Sequence, residues 1–201
     1  MSLIPVFMNG RARPKPFIDE AVRLLKERGG ETIIELGGMR QTLRHDIDNF
    51  SFPCCEDGHS SVLWARTGLD FYSVECLESA AQITAAACID YPNAKIMHMD
   101  AFDFISKLER TFRIDLLYMD AWDVNLPDCA ENHLSAYMMA FDHLGHDALV
   151  LIDDTDVDCV DNVIVEKQSE WSGKGKLLIP YMLSQDWRVV FTGRQTLLSR
   201  I

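Results

Sequence analysis

Apolar positions along the chain fall into two alternating patterns. Short runs rich in aliphatic and β-branched residues alternate with longer segments in which apolar residues recur every three to four positions. The runs TIIELGG (32–38), DFYSVE (70–75), AKIMHMD (94–100), RIDLLYMD (113–120) and DALVLIDD (147–154) read as strands. Helical spacing is expected over 16–28, where Phe17, Ala21, Leu24 and Leu25 share a face and Gly29-Gly30 ends the turn. Further helices are expected over 60–68, from Leu77 to about Asp90, and over 101–110. Another is expected over about 128–144, with Asp128 and Glu131 at capping-box-like spacing and an apolar stripe of Leu134, Tyr137, Met138, Phe141 and Leu144. Residues 157–184 read as partly helical, broken by SGKG (172–175). WRVVFT (187–192) and QTLLSR (195–200) read as an antiparallel hairpin turning at Gly193-Arg194.

Strand–helix alternation of this kind predicts a mostly parallel sheet covered by helices on both faces. The length of 201 residues suits a single α/β domain over 1–201. No apolar run approaches the roughly 18 residues that span a bilayer, and MSLIPVFMNG lacks the features of a secretory signal. A cytoplasmic location is therefore expected, with the six cysteines as free thiols; Cys54-Cys55 has no C-x-x-C partner for a zinc site.

Net charge changes the picture more than composition does. At −12 the chain argues against nucleic acid or a membrane surface as partner, because phosphate binding needs clustered Lys and Arg. A cationic ligand or a metal ion would be favoured. Much of that negative charge has a definite address. The five expected parallel strands end in Glu35, Glu75, Asp100, Asp120 and the pair Asp153-Asp154. Open parallel sheets bind ligands beyond the carboxyl ends of their strands. Turn and cap preferences of Asp account for some of these positions.

Glu75, after the second strand, is placed to accept hydrogen bonds from both hydroxyls of a ribose. Asp100 and Ala101, after the third, are placed to meet an adenine, with Asp100 also suited to cap the following helix. Gly37 and Gly38 would let a ligand approach the main chain. Gly58 and Ser60, in DGHSS (57–61), precede a helix N-terminus whose N–H groups could hold a carboxylate. No G-x-G-x-x-G is present, which argues against a nicotinamide or flavin dinucleotide.

The order ELGG, DGHSS, YSVE, MDA, LLYMDAWD, LVLIDD resembles class I S-adenosylmethionine-dependent methyltransferases from about residue 17 to 200. The resemblance implies a Rossmann-like doubly wound sheet of seven strands, with an antiparallel last strand inserted between strands five and six. It implies S-adenosylmethionine as cofactor, with Glu35, Gly37, Gly38, Gly58, Ser60, Glu75, Asp100, Ala101 and Asp120 around it. The paired Asp after strand five is similar to macrocin-type metal-dependent O-methyltransferases. That likeness implies Asp120, Asp153 and Asp154 as magnesium ligands, with Asp120 and Asp123 as the catalytic acids, Asp123 the candidate base. A hard cation held there could lower the pKa of a substrate hydroxyl.

Other readings of the same residues stay open. Asp153 could cap a helix while Asp154 binds water, leaving a methyltransferase without metal or a nucleoside-binding protein without catalysis. Asp156 and Asp158 suit the first turn of a helix. His133 and Tyr137 share a helical face, beside the substrate or in the core. Arg40, Arg44 and His45 lie in a long connection that could close over the pocket. Lys174 and Lys176, flanking a glycine in SGKGK, could close over the site, but a solvated flexible loop is the favoured reading. The expected partner is a small hydroxylated molecule, and the assembly is open between monomer and homodimer.

Overall fold

The computed structural model describes residues 14–40 and 59–201. Six helices and nine strands follow in chain order: α1 (Pro14–Glu27), β1 (Thr32–Leu36), α2 (Ser60–Ala65), β2 (Asp70–Glu75), α3 (Glu78–Ala87), β3 (Ala94–His98), α4 (Ala101–Ser106), β4 (Ile114–Met119), α5 (Cys129–Ala140), β5 (Leu144–Ile152), β6 (Val157–Val160), β7 (Val163–Glu166), α6 (Leu178–Leu183), β8 (Trp187–Phe191) and β9 (Thr196–Arg200). Seven strands form one sheet in the order β3-β2-β1-β4-β5-β9-β8. β3, β2, β1, β4 and β5 run parallel, and β9 lies antiparallel between β5 and β8. This is the expected Rossmann-like α/β architecture with its inserted antiparallel strand.

The two faces of the sheet explain the apolar runs. In β1, Ile33 packs with Phe17, Trp64 and Phe71 on one side, while Ile34 and Leu36 pack with Phe104, Leu117 and Tyr137 on the other. A strand covered on both faces reads as continuous rather than alternating. α1 buries Phe17, Ile18, Ala21 and Leu25. It ends where Gly30 donates to the Leu25 carbonyl and Gly29 to that of Lys26, a Schellman pattern.

Three expectations are corrected. Residues 157–166 form a separate hairpin, β6–β7, rather than helix. Asp161 and Asn162 turn it, both at positive φ (50° and 62°), as a two-residue primed turn demands. Asp156 and Asp158 are therefore not in a helical first turn. The stripe of α5 is rotated: Cys129, His133, Ala136, Tyr137 and Ala140 are buried, while Met138 is 53 % exposed. Asp128 also makes no side-chain capping bond there. Finally, β5 begins at Leu144, directly after a short 3-10 turn at Phe141–His143, because Leu144 pairs with Ile114. No helix of the described residues is long and apolar enough to cross a membrane.

Candidate functional site

The carboxyl ends of β1, β2 and β4 and the start of α4 meet around a cleft of about 210 Å³. Gly37 donates to the Val74 carbonyl and Asp120 N–H donates to that of Leu36, each at 2.9 Å, so the strand exits are stitched together. Gly37 has φ +99°, and a Cβ there would lie 2.6 Å from the Asp120 carbonyl oxygen. Only glycine permits this approach of β1 to β4. Gly38 and Leu77 donate their N–H groups to the two oxygens of Glu75, at 2.9 and 2.8 Å. Glu75 is thus held rigidly at the cleft wall, with lone pairs left for a further donor. Asp100 caps α4 through the N–H groups of Phe102 and Asp103, and it lines the cleft with Ala101. The same cleft is lined by Asp120, Trp122, Asp123 and Arg40. The Phe102 and Trp122 rings lie 4.9 Å apart.

Two of the sequence candidates are placed elsewhere. Glu35 does not line the cleft; its side chain is fully buried and accepts hydroxyl hydrogen bonds from Ser60, Ser61 and Ser73. Strand register explains this: Glu35 pairs with Ser73, two residues before Glu75, so it lies below the cleft on the face covered by α2. Burial pushes its carboxyl up to about 7, with the three serine hydroxyls opposing the shift. Ser60 is spent on Glu35 from the short helix α2. Gly58 lies outside the described residues, as do Arg44 and His45.

Oxygens of Asp120, Asp153 and Asp154 come within 4.8 Å of one another. At that spacing each pair of bare carboxylates would repel by about 3–4 kcal/mol at an effective dielectric of roughly 20. Two cations meet this charge. Lys174, only 2 % exposed, donates to the Asp120 carboxylate, lies 3.2 Å from the Asp120 carbonyl oxygen and pairs with Asp154 at 3.3 Å. Arg194 lies 3.5 Å from Asp153 and 3.7 Å from Asp154. Burial alone would lower the Lys174 pKa, but Asp120, Asp154 and Asp153 together hold it above its ordinary value. Burial pushes the Asp120 carboxyl well above the usual carboxylate range, with Lys174 opposing and the two other acids reinforcing the rise. Gln195 bridges Asp153 and the Tyr118 hydroxyl at 2.8 and 2.9 Å, and that hydroxyl in turn lies 3.3 Å from Asp120.

Lys174 is the residue that sequence reasoning misread as a solvated loop lysine. Gly173 has φ +52°, and a Cβ there would lie 2.0 Å from the Asp154 carbonyl oxygen. The loop is anchored by Asp158, which accepts from Ser172 Oγ and Gln168 N–H at 2.9 Å each. The available signal was three acids at neighbouring strand ends, which call for a cation, and a lysine between two glycines in SGKGK.

Asp123 sits at the cleft mouth, where Arg40 holds both its oxygens at 2.8 and 2.7 Å. Beyond the 120–127 loop a second cavity of about 410 Å³ opens, lined among others by Leu126, Glu131, Asp158 and Lys176. His133 is buried, its Nδ1 2.7 Å from the Cys129 carbonyl, so Nδ1 carries the proton and Nε2 does not. Burial lowers its pKa to about 3, with Lys174 acting in the same direction. Tyr137 is wholly within the core.

No protein-family model and no curated protein matches the chain. Solved structures do. The O-methyltransferase TomG from Streptomyces achromogenes, in complex with SAM, superposes with TM-score 0.59 at 20% identity, covering 96% of this chain and 82% of its own. An O-methyltransferase from Bacillus cereus in complex with SAH gives TM-score 0.58 at 14% identity, over 98% and 83%. Monomeric WbdD gives 0.57 at 13% identity, where 92% of this chain spans only 40% of that one. At these identities the likeness is one of fold, and the chain has the fold of class I S-adenosylmethionine-dependent O-methyltransferases.

Proposed function

We propose that this protein transfers a methyl group from S-adenosylmethionine to a hydroxyl of a small molecule. The observation that carries the reading is the convergence of Gly37, Gly38, Glu75, Asp100, Ala101 and Asp120 on one cleft at the carboxyl ends of adjacent strands. Those residues fit a nucleoside. Glu75 offers preorganised lone pairs to a vicinal diol. Val74, Leu77 and Ala101 give an apolar wall for a base. The bound O-methyltransferases of the same fold support the reading.

S-adenosylmethionine, when bound, supplies a methyl group on a cationic sulfur. The chain's own part is to position and to take a proton. The acids at the cleft favour a positive charge. Asp120 on the cleft wall and Asp123 at its mouth are the carboxylates that can receive the acceptor's hydroxyl proton. Holding the two reactants in line accounts for much of the rate in such transfers. The three carboxylates expected to hold magnesium already meet Lys174 and Arg194, so the residues present do not fit a further dication.

A reading without catalysis has one observation in its favour, the two-oxygen grip of Arg40 on Asp123. Calorimetric titration with S-adenosylhomocysteine tests the cofactor site: roughly micromolar binding is expected, and none would overturn the proposal. Release of S-adenosylhomocysteine across a panel of hydroxylated small molecules then separates the enzyme from a silent binder.

A further inference from the structure

We propose that Lys174 is the resident cation of the Asp120–Asp153–Asp154 cluster, and that it excludes divalent metal ions from this site. The inference stands on the geometry of the cluster and does not need the methyl-transfer reading.

An ammonium group has three N–H donors and no acceptor. Lys174 Nζ meets three oxygens: the Asp120 carboxylate, the Asp120 main-chain carbonyl and Asp154 Oδ2. It donates twice to Asp120 and pairs in charge with Asp154, both of them groups that a divalent ion would need. Arg194 stands on the other side, against Asp153 and Asp154. The three acids face two fixed cations, so an incoming dication meets a site already flanked by positive groups. Magnesium requires near-octahedral oxygen ligands at about 2.0–2.1 Å, and it would have to displace Lys174 to obtain them.

The lysine is delivered by a built loop. Gly173 is at positive φ, where its lack of a Cβ lets residues 172–175 press onto the Asp154 carbonyl. Ser172 is fully buried and donates to Asp158, which also accepts the Gly173 N–H at 3.4 Å. Burying a lysine costs heavily unless it is paired; here the pairing and the loop enforce each other. The role of Lys174 is positioning: it fixes Asp120 at the cleft without lining the cleft itself.

The test uses chelator-stripped full chain and Mn²⁺ alone, read by electron paramagnetic resonance. Wild-type protein is expected to leave Mn²⁺ free into the millimolar range. Lys174→Met keeps the length of the side chain and removes the charge. It is expected to take up one ion per chain with an affinity at least about 100-fold higher, and adding Asp154→Asn to be enough to lose it. Wild-type protein that binds Mn²⁺ and loses it on Asp154→Asn overturns the proposal. So does a folded Lys174→Met variant that binds none. If that variant does not fold, Lys174→Gln retains N–H donors; Mn²⁺ uptake by Lys174→Gln, or its folding only in the presence of Mn²⁺, supports the proposal, and a folded Lys174→Gln that binds no ion overturns it. The readout needs neither cofactor nor acceptor, so its failure leaves the cofactor-site reading standing.

Discussion

Gly38 and Glu75 are joined by a 2.9 Å hydrogen bond from the glycine N–H to the carboxylate, across 37 residues of sequence. That bond and its partner from Leu77 N–H fix the acid at the exit of β2. Charge-assisted hydrogen bonds of this kind contribute about 1.5–3 kcal/mol each. Glu75→Ala is expected to weaken S-adenosylhomocysteine binding by at least about tenfold, with Glu75→Gln intermediate. Calorimetry on both variants checks this; unchanged affinity in Glu75→Ala would remove Glu75 from the cofactor site.

The sheet was legible because β4 and β5 are buried on both faces and so read as unbroken apolar runs. The acids at their ends were legible for the same reason, since each interrupts such a run. How deep a strand-end acid lies was harder. Glu35 and Glu75 look alike in sequence, yet Glu35 pairs with Ser73, two positions short of Glu75, and that depth separates the serine-lined interior from the cleft. The β6–β7 hairpin was hidden because Asp161-Asn162 turns it without a glycine, and helix was the default for that stretch. Lys174 was hidden for a different reason. Its burial is dictated by carboxylates 20 to 54 residues earlier in the chain, a relation that local pattern does not carry.

Glu35 predicts a pH dependence of stability. Its folded-state pKa of about 7 lies above the ordinary carboxylate value, so the folded protein keeps a proton that the unfolded chain has lost. This contribution is fully present below about pH 4.5, falls as pH rises towards 7, and is gone above it. The loss is on the order of 3 kcal/mol for a group this buried. Urea denaturation at about pH 5 and about pH 7.5 should show it, and Glu35→Gln should flatten the difference. A wild-type slope that survives in Glu35→Gln would assign it to another group.

Gly173 and Gly68 make a matched pair. Both have positive φ, +52° and +76°, but a Cβ at Gly68 would meet nothing within 4 Å. Gly68→Ala is expected to cost about 1–2 kcal/mol from backbone conformation alone. Gly173→Ala adds a collision with the Asp154 carbonyl and should cost about 3 kcal/mol or more, because residues 172–175 and Lys174 with them must move. Denaturant midpoints compare the two directly. Equal costs would mean that the Lys174 loop is not pressed against Asp154.

Arg40 and Asp123 close the mouth of the cleft while remaining about half exposed, at 50 % and 49 %. An exposed pair of this kind contributes about 0–1 kcal/mol, so Arg40→Ala should leave the melting temperature nearly unchanged. Its effect should fall on exchange. Removing the guanidinium opens the mouth, and both association and dissociation of S-adenosylhomocysteine should quicken several-fold, with a smaller change in Kd. Asp123→Asn cuts the same ion pair but also removes a carboxylate that could receive the acceptor's proton. It should quicken exchange as Arg40→Ala does and, in addition, depress methyl transfer. Stopped-flow binding beside a turnover assay separates the two. If Asp123→Asn keeps full turnover, Asp123 serves the mouth alone, and Asp120 is left as the proton acceptor.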